Sequence, residues 1–158
     1  GIKRGTLYNS FGDKDTFFKS CVDQYNTVTD KHIAASLKND ELVAWDAIAA
    51  YFTEAVINVP SKHRSMGCLL VNSVCESINY DKEIKKVVKG SLAIIRKALL
   101  VRLKDAHKKG KIKKGISAEL AADVLMNSLH GIRVSSRDGK NAKQLQELID
   151  FTLSSLKK

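Results

Sequence analysis

Between residues 3 and 9 the chain gathers two cations, two hydroxyls and an amide: Lys3, Arg4, Thr6, Tyr8 and Asn9. Arg and Lys donate to guanine edges, Asn pairs with adenine, and Thr and Tyr hydroxyls reach phosphate oxygens, so this set suits the reading of duplex nucleic acid. Asp13 is a good N-cap, and it places Lys14 in the first turn of the next helix. There a mobile cation joins free backbone N–H groups in a natural phosphate site. Leu7 and Phe11, four apart, predict one buried side for a short helix from Lys3 to about Phe11, followed by a tight turn at Gly12.

Other chemistry is sparse. Cys21, Cys68 and Cys75 are odd in number and irregular in spacing, which fits a reducing, cytoplasmic setting rather than a disulfide framework. No CxxC or HxxxH spacing pre-arranges ligands, so neither a metal nor a cofactor is expected. Cys21 and Cys75 read as small buried hydrophobes. Cys68 lies near a predicted helix start, close to His63 and Arg64, a setting that favours the reactive thiolate and makes it a candidate sensor of oxidants or electrophiles. An inert, buried thiol is the alternative. Ser, His and acidic residues fall in no nucleophile elbow or phosphate loop, so no enzyme is expected. No run approaches the roughly 20 apolar residues of a membrane span, and Gly1–Gly5 lacks the apolar core of a secretory signal.

The elements that must position these residues are helical. Of 158 residues 44% are hydrophobic, and one Pro and 9 Gly leave few forced breaks. Apolar spacing predicts helices from Asp13 to the Lys38–Asp40 cluster and over roughly 41–58, then from Met66 to about Asn79 and from Asp81 to about Lys109. Ser117 caps another, and a last helix follows Asp138-Gly139. Val71, Val74 and Ile78 are expected to share one face. The fold class is all-α, one core of six or seven helices. Leu125, Leu129 and Ile132, with Leu145, Leu148, Ile149, Leu153 and Leu156, form aliphatic stripes on the last two helices and are the best candidates for a dimer interface.

The charge is uneven. The chain has 27 Lys+Arg and 17 Asp+Glu, net +10, and residues 81–114 alone hold 13 Lys/Arg against 3 Asp/Glu. Residues 1–38 sum to only +2. The bulk basicity is therefore mostly separate from the nucleic-acid signature.

Gly1, Ile2, Gly5, Thr6, Leu7, Tyr8, Phe11, Lys14 and Phe17 match a known pattern nearly throughout. On these residues the chain resembles the tetracycline-repressor (TetR) family of bacterial transcriptional regulators. Gly67-Cys-Leu-Leu-Val-Asn72 and His130-Gly-Ile-Arg-Val134 fit one large branch of it more weakly. Ser10 departs from the family's usual His or Tyr and puts one phosphate contact in doubt. Family members carry two helices before the recognition helix, so the sequence is expected to be shortened at its N-terminus.

The resemblance implies the end of a helix-turn-helix DNA-binding domain and its connecting helix over 1–38, and a helical-bundle ligand-binding and dimerisation domain over 39–158. It implies base reading by Arg4, Thr6 and Asn9, with Lys3 as a further candidate, and phosphate contacts from Tyr8 and Lys14. The start of the long basic helix (Lys82, Lys85, Lys86, Lys89) would then lie on the DNA side. Operator DNA, a small-molecule inducer and a second copy of the chain are the implied partners. Trp45, Tyr51, Phe52, Leu70, Asn72, Ile95 and His130 are the candidates for the inducer pocket, each equally readable as plain core. The absence of an acidic cluster among the apolar stripes speaks against a cationic-drug pocket. The alternative function is an all-α dimeric domain that binds a ligand or protein and does not itself bind DNA.

Overall fold

The computed structural model describes residues 4–76, 78 and 80–158. Its helices are α1 (Arg4–Phe11), α2 (Lys14–Ala35), α3 (Ala44–Phe52), α4 (Ser61–Arg64), α5 (Leu69–Cys75), α6 (Lys82–Lys108), α7 (Ala118–Arg137) and α8 (Ala142–Leu156). Four of them start where a side chain accepts from a free N–H of the first turn. Asp13 Oδ1 accepts from Thr16 N at 2.7 Å and Asp81 Oδ1 from Ile84 N at 2.7 Å. Ser117 Oγ accepts from Leu120 N at 3.1 Å. Asn141 and Gln144 cap each other reciprocally, both bonds 3.0 Å long.

The middle of the chain departs from the expected pattern. The helix expected over 41–58 begins at Ala44 and widens into a π-helical turn, Thr53–Ile57, closed by Asn58 N donating to Thr53 O at 2.9 Å. Ser61–Arg64, between these two segments, form the single turn of α4. The helix expected over 66–79 is cut to the seven residues of α5, so it buries only Leu70, Val71 and Ser73. Val74 and Ile78 are consequently exposed, as is Cys75, while Cys21 is half-buried and Cys68 is the buried thiol.

The spine is α6, which packs against α7, α3, α2 and α5, while α8 closes over α7, α3 and the π-helical turn. Leu99 and Leu103 of α6 are fully buried with Val22, Ile48, Phe52 and Leu125. Arg102 joins α6 to the α2–α3 loop: Nε donates to Leu37 O and Nη2 to Asn39 O, both at 2.6 Å, and Nη1 to Leu42 O at 3.4 Å. Asp40, 3.7 Å from Arg102, is fully exposed and adds little. Farther on, the basic linker holds the C-terminus, with Lys113 N donating to Leu156 O at 3.0 Å and Lys158 N to Lys111 O at 3.1 Å.

This packing bears on the side-chain stripes expected to form a dimer interface. Leu125, Leu129, Ile132, Leu145, Ile149 and Leu156 are buried in the chain's own core, and Leu153 is half-buried against it. The terminal helices need these sides internally, so the stripes are not free for a second copy. Of the eight only Leu148 is exposed, alongside Phe151, Leu120 and Val134 on other sides of α7 and α8.

Replacing Arg102 by Ala strands three carbonyls that share a charged donor. Urea unfolding is expected to show a loss of about 3 kcal/mol. A loss within experimental error would mean that water substitutes for the guanidinium.

Candidate functional site

The α1–α2 unit is built by two local constraints. Gly12 has φ +79°, a backbone state that side-chain-bearing residues avoid, which lets the chain turn sharply between the helices. The Thr16 backbone N–H, donating to Asp13, holds that carboxyl below its ordinary range and fixes the start of α2. Thr6 and Asn9 are exposed on α1, and Lys14 is exposed in the first turn of α2. Lys3 lies outside the described residues, as do the side chains of Arg4, Leu7 and Tyr8. Phe11, expected on a buried side, is 37% exposed. Its ring meets Phe17 edge-on, with centroids 5.0 Å apart.

The start of α6 comes to this same end of the molecule. Phe18 and Tyr80 stack with centroids 5.2 Å apart, and a crevice of about 220 Å³ is lined by both α2 residues (Lys14, Asp15) and α6 residues (Asp81, Ile84). Lys82, Lys85, Lys86 and Lys89 are exposed just beyond it. Lys104–Lys114 lies roughly 30 Å farther along the helix direction. There Lys109 Nζ donates to Asp105 at 2.9 Å and Lys113 Nζ to Ser154 O at 3.1 Å.

A second site lies at the other end of α2. A cleft of about 430 Å³ opens between α2, the α4–α5 loop and α7, with Val28, Val59, Met66 and Leu69 among its apolar walls. It adjoins an inner recess of about 20 Å³ that reaches Tyr51, Ile95 and His130. Tyr25, Thr29, His32 and Arg133 line both. The loop keeps its shape because Gly67, at φ +74°, brings Asn72 Nδ2 within 3.1 Å of Met66 O. It is tied to α7 by Ser136 Oγ, which donates to Arg64 O at 3.1 Å.

The polar groups of this chamber are under-used by the protein. His130 Nε2 and Arg133 Nε are buried without a hydrogen-bond partner. Burial lowers the His130 and His32 pKa values, which keeps both rings neutral at neutral pH, and pushes the Tyr25 and Tyr51 phenols up. Tyr25 Oη donates to the Cys68 sulfur at 3.1 Å, so Cys68 is a wall of the recess. His63 lines the rim of the cleft, while Arg64 donates to Ile57 O at 3.3 Å instead.

Of the pocket candidates, Tyr51, Asn72, Ile95 and His130 line this chamber. Trp45, Phe52 and Leu70 do not. Phe52 and Leu70 are fully buried core, and the Trp45 indole donates to Lys111 O at 3.0 Å in the basic linker. Sequence reasoning missed Tyr25, Thr29, His32 and Arg133. Their signal was present as polar residues at i, i+4, i+7 on α2 and at i+3 from His130 on α7, but Tyr25 and His32 pass for members of an apolar stripe. The boundary at residue 38 also divides this site, because the second half of α2 lines it.

The two histidines make stability fall with acid. Their folded pKa values lie below the unfolded value of 6.5, so the unfolded chain binds more protons once pH drops through that value. The urea midpoint should decline from about pH 7 to about pH 5.5, and His130→Leu should flatten the decline. Asp13, Glu119 and Asp123 are held low from 3.8, 4.5 and 3.8 and act only below this window. An equal slope in the variant would show that the His130 ring is not kept neutral by the fold.

No protein-family model matches the chain. It is 27% identical over 155 residues to the HTH-type transcriptional repressor ComR of Escherichia coli (strain K12), covering 97% of this chain and 73% of ComR. A regulatory protein TetR from Rhodobacter sphaeroides superposes with a TM-score of 0.85 at 14% identity, over 98% of this chain and 82% of that one. The TetR-family regulator CifR, in a cysteine mutant complexed with a 26-bp double-strand operator DNA, gives 0.78 at 18% identity over 98% and 80%. The chain has the fold of the TetR family of transcriptional regulators.

Proposed function

We infer that this chain is a ligand-responsive transcriptional regulator, a repressor that binds operator DNA as a dimer through α1 and is released when a small molecule occupies the chamber. One observation carries the reading: α2 belongs to both sites. Its first turn bears Lys14 beside α1, and its second half presents Tyr25, Thr29 and His32 to the chamber. A rigid helix of 22 residues, about 33 Å long, transmits a shift at one end to the other. The similarity to a named repressor and to an operator-bound regulator supports the same conclusion.

In this reading Thr6 and Asn9 read bases together with Arg4, with Lys3 as a further reader, and Lys14 and Tyr8 hold phosphates and set register. The Lys82–Lys89 cluster, at the same end as Lys14, adds sequence-independent attraction. Dimerisation uses the apolar residues that α7 and α8 leave exposed, Leu120, Val134, Leu148 and Phe151, the last 75% exposed. No helix among the described residues is long and apolar enough to cross a membrane, and operator binding implies work in the cytoplasm.

Fluorescence anisotropy of the full-length chain on its own promoter DNA tests the function. Lys14→Ala is expected to weaken binding to all sequences alike and to reduce the salt slope by about one ion, whereas Asn9→Ala should relax sequence preference. In light scattering, Phe151→Lys should shift a dimer toward monomer. No promoter binding by the full-length wild-type protein would favour the ligand-binding domain without DNA recognition.

A further inference from the structure

The chamber carries an asymmetry of charge that identifies its ligand's chemistry. Among the residues lining the cleft and the recess, Arg133 is the single Lys or Arg, and no Asp or Glu is present. No carboxylate among the described residues comes within ion-pair distance of it. Its Nε, one prong of the guanidinium fork, is buried and unpaired. A second unpaired donor or acceptor, His130 Nε2, lies one helical turn away on α7 and lines the same recess. Glu54 acts on His32 through space and accepts from Asn58 Nδ2 at 2.7 Å.

A buried guanidinium nitrogen without a partner is costly, and native interiors pair such groups. We propose that the chamber binds a small amphipathic monocarboxylate, its carboxylate forked by Arg133 and its apolar body lying along Val28, Val59, Met66 and Leu69. Both flanking histidines are neutral, so one fixed positive charge balances one negative charge. A planar guanidinium matches a planar carboxylate in two parallel hydrogen bonds. Thr29 and the Tyr25 hydroxyl supply the remaining polar wall. The cleft volume of about 430 Å³ is that of a small-ligand site, and the recess of about 20 Å³ admits one small polar group beyond it. The proposal rests on the regulator reading above for what binding does to DNA, while binding itself is measured without DNA.

Calorimetric titration of the full-length chain near neutral pH compares butyrate, octanoate, benzoate and phenylacetate with the matching alcohols, and octanoate with octylamine and octyl phosphate. At least one carboxylate should bind about tenfold or more tightly than its alcohol. Arg133→Gln should erase that preference, and Arg133→Lys should keep part of it. Circular dichroism and thermal melting establish that the variants fold. Should Arg133→Gln fail to fold, the wild-type head-group series and Arg133→Lys decide. Equal binding of acid and alcohol, tighter binding of the amine or phosphate, no binding by any of the four acids, or an undiminished preference in a folded Arg133→Gln each overturns the proposal. A parallel anisotropy titration of the promoter complex separates the two readings. Arg133-dependent carboxylate binding to a chain that never binds its promoter refutes the regulator reading alone, and promoter binding without carboxylate binding refutes the anion site alone.

Discussion

One side of α6, running from Ile84 through Val88, Ile95 and Leu99 to Leu103, must be kept from water over roughly 30 Å. The neighbours α2, α3, α5 and α7 therefore converge on it from different directions, and α8 seals the bundle behind α7 and the π-helical turn. Arg102 fixes the arrangement by satisfying three loop carbonyls from a side chain only 12% exposed. The gap between two of these neighbours, α2 and α7, and the α4–α5 loop holds the chamber.

The gap is lined by segments that are locally irregular. Thr53–Ile57 is π-helical and contributes Ala55 to the recess, a placement typical of such turns near functional sites. The α4–α5 loop turns at Gly67, where an added Cβ would make ordinary contact with Arg137 and Asn72 at 3.4 Å, so it is the φ of +74° that favours glycine. The polar groups of the chamber, on α2 and α7, belong to the same two helices that bear Lys14 and part of the exposed apolar face. A ligand bridging them would act on both at once.

Charge divides along α6 in the same way. Its first turns sit beside Lys14 at the α1 end, through the Phe18–Tyr80 contact. Its last turns and the following linker, by contrast, anchor the C-terminus through backbone bonds from Lys111 and Lys113. The net charge of residues 81–114 is therefore divided between two ends of the molecule. At physiological salt the far cluster is screened beyond about 8 Å.

What the sequence determined by itself was everything governed by neighbours in the chain. Asp13, Asp81, Ser117 and the Asp138-Gly139 pair mark helix starts that the structure reproduces, since capping and turn chemistry act over three or four residues. The α1–Gly12–α2 unit was legible for the same reason, and with it the family resemblance. Periodicity also identified which side of α7 and α8 is apolar. It could not say what covers that side, and Leu125, Leu145 and Ile149 turned out to face their own chain. Only tertiary structure decided that, and only it brought Tyr25, Thr29 and His32 of α2 to Arg133 of α7, residues about a hundred positions apart. A polar residue on a helix looks the same in sequence whether it faces water or a chamber. The difference lies in what packs around it.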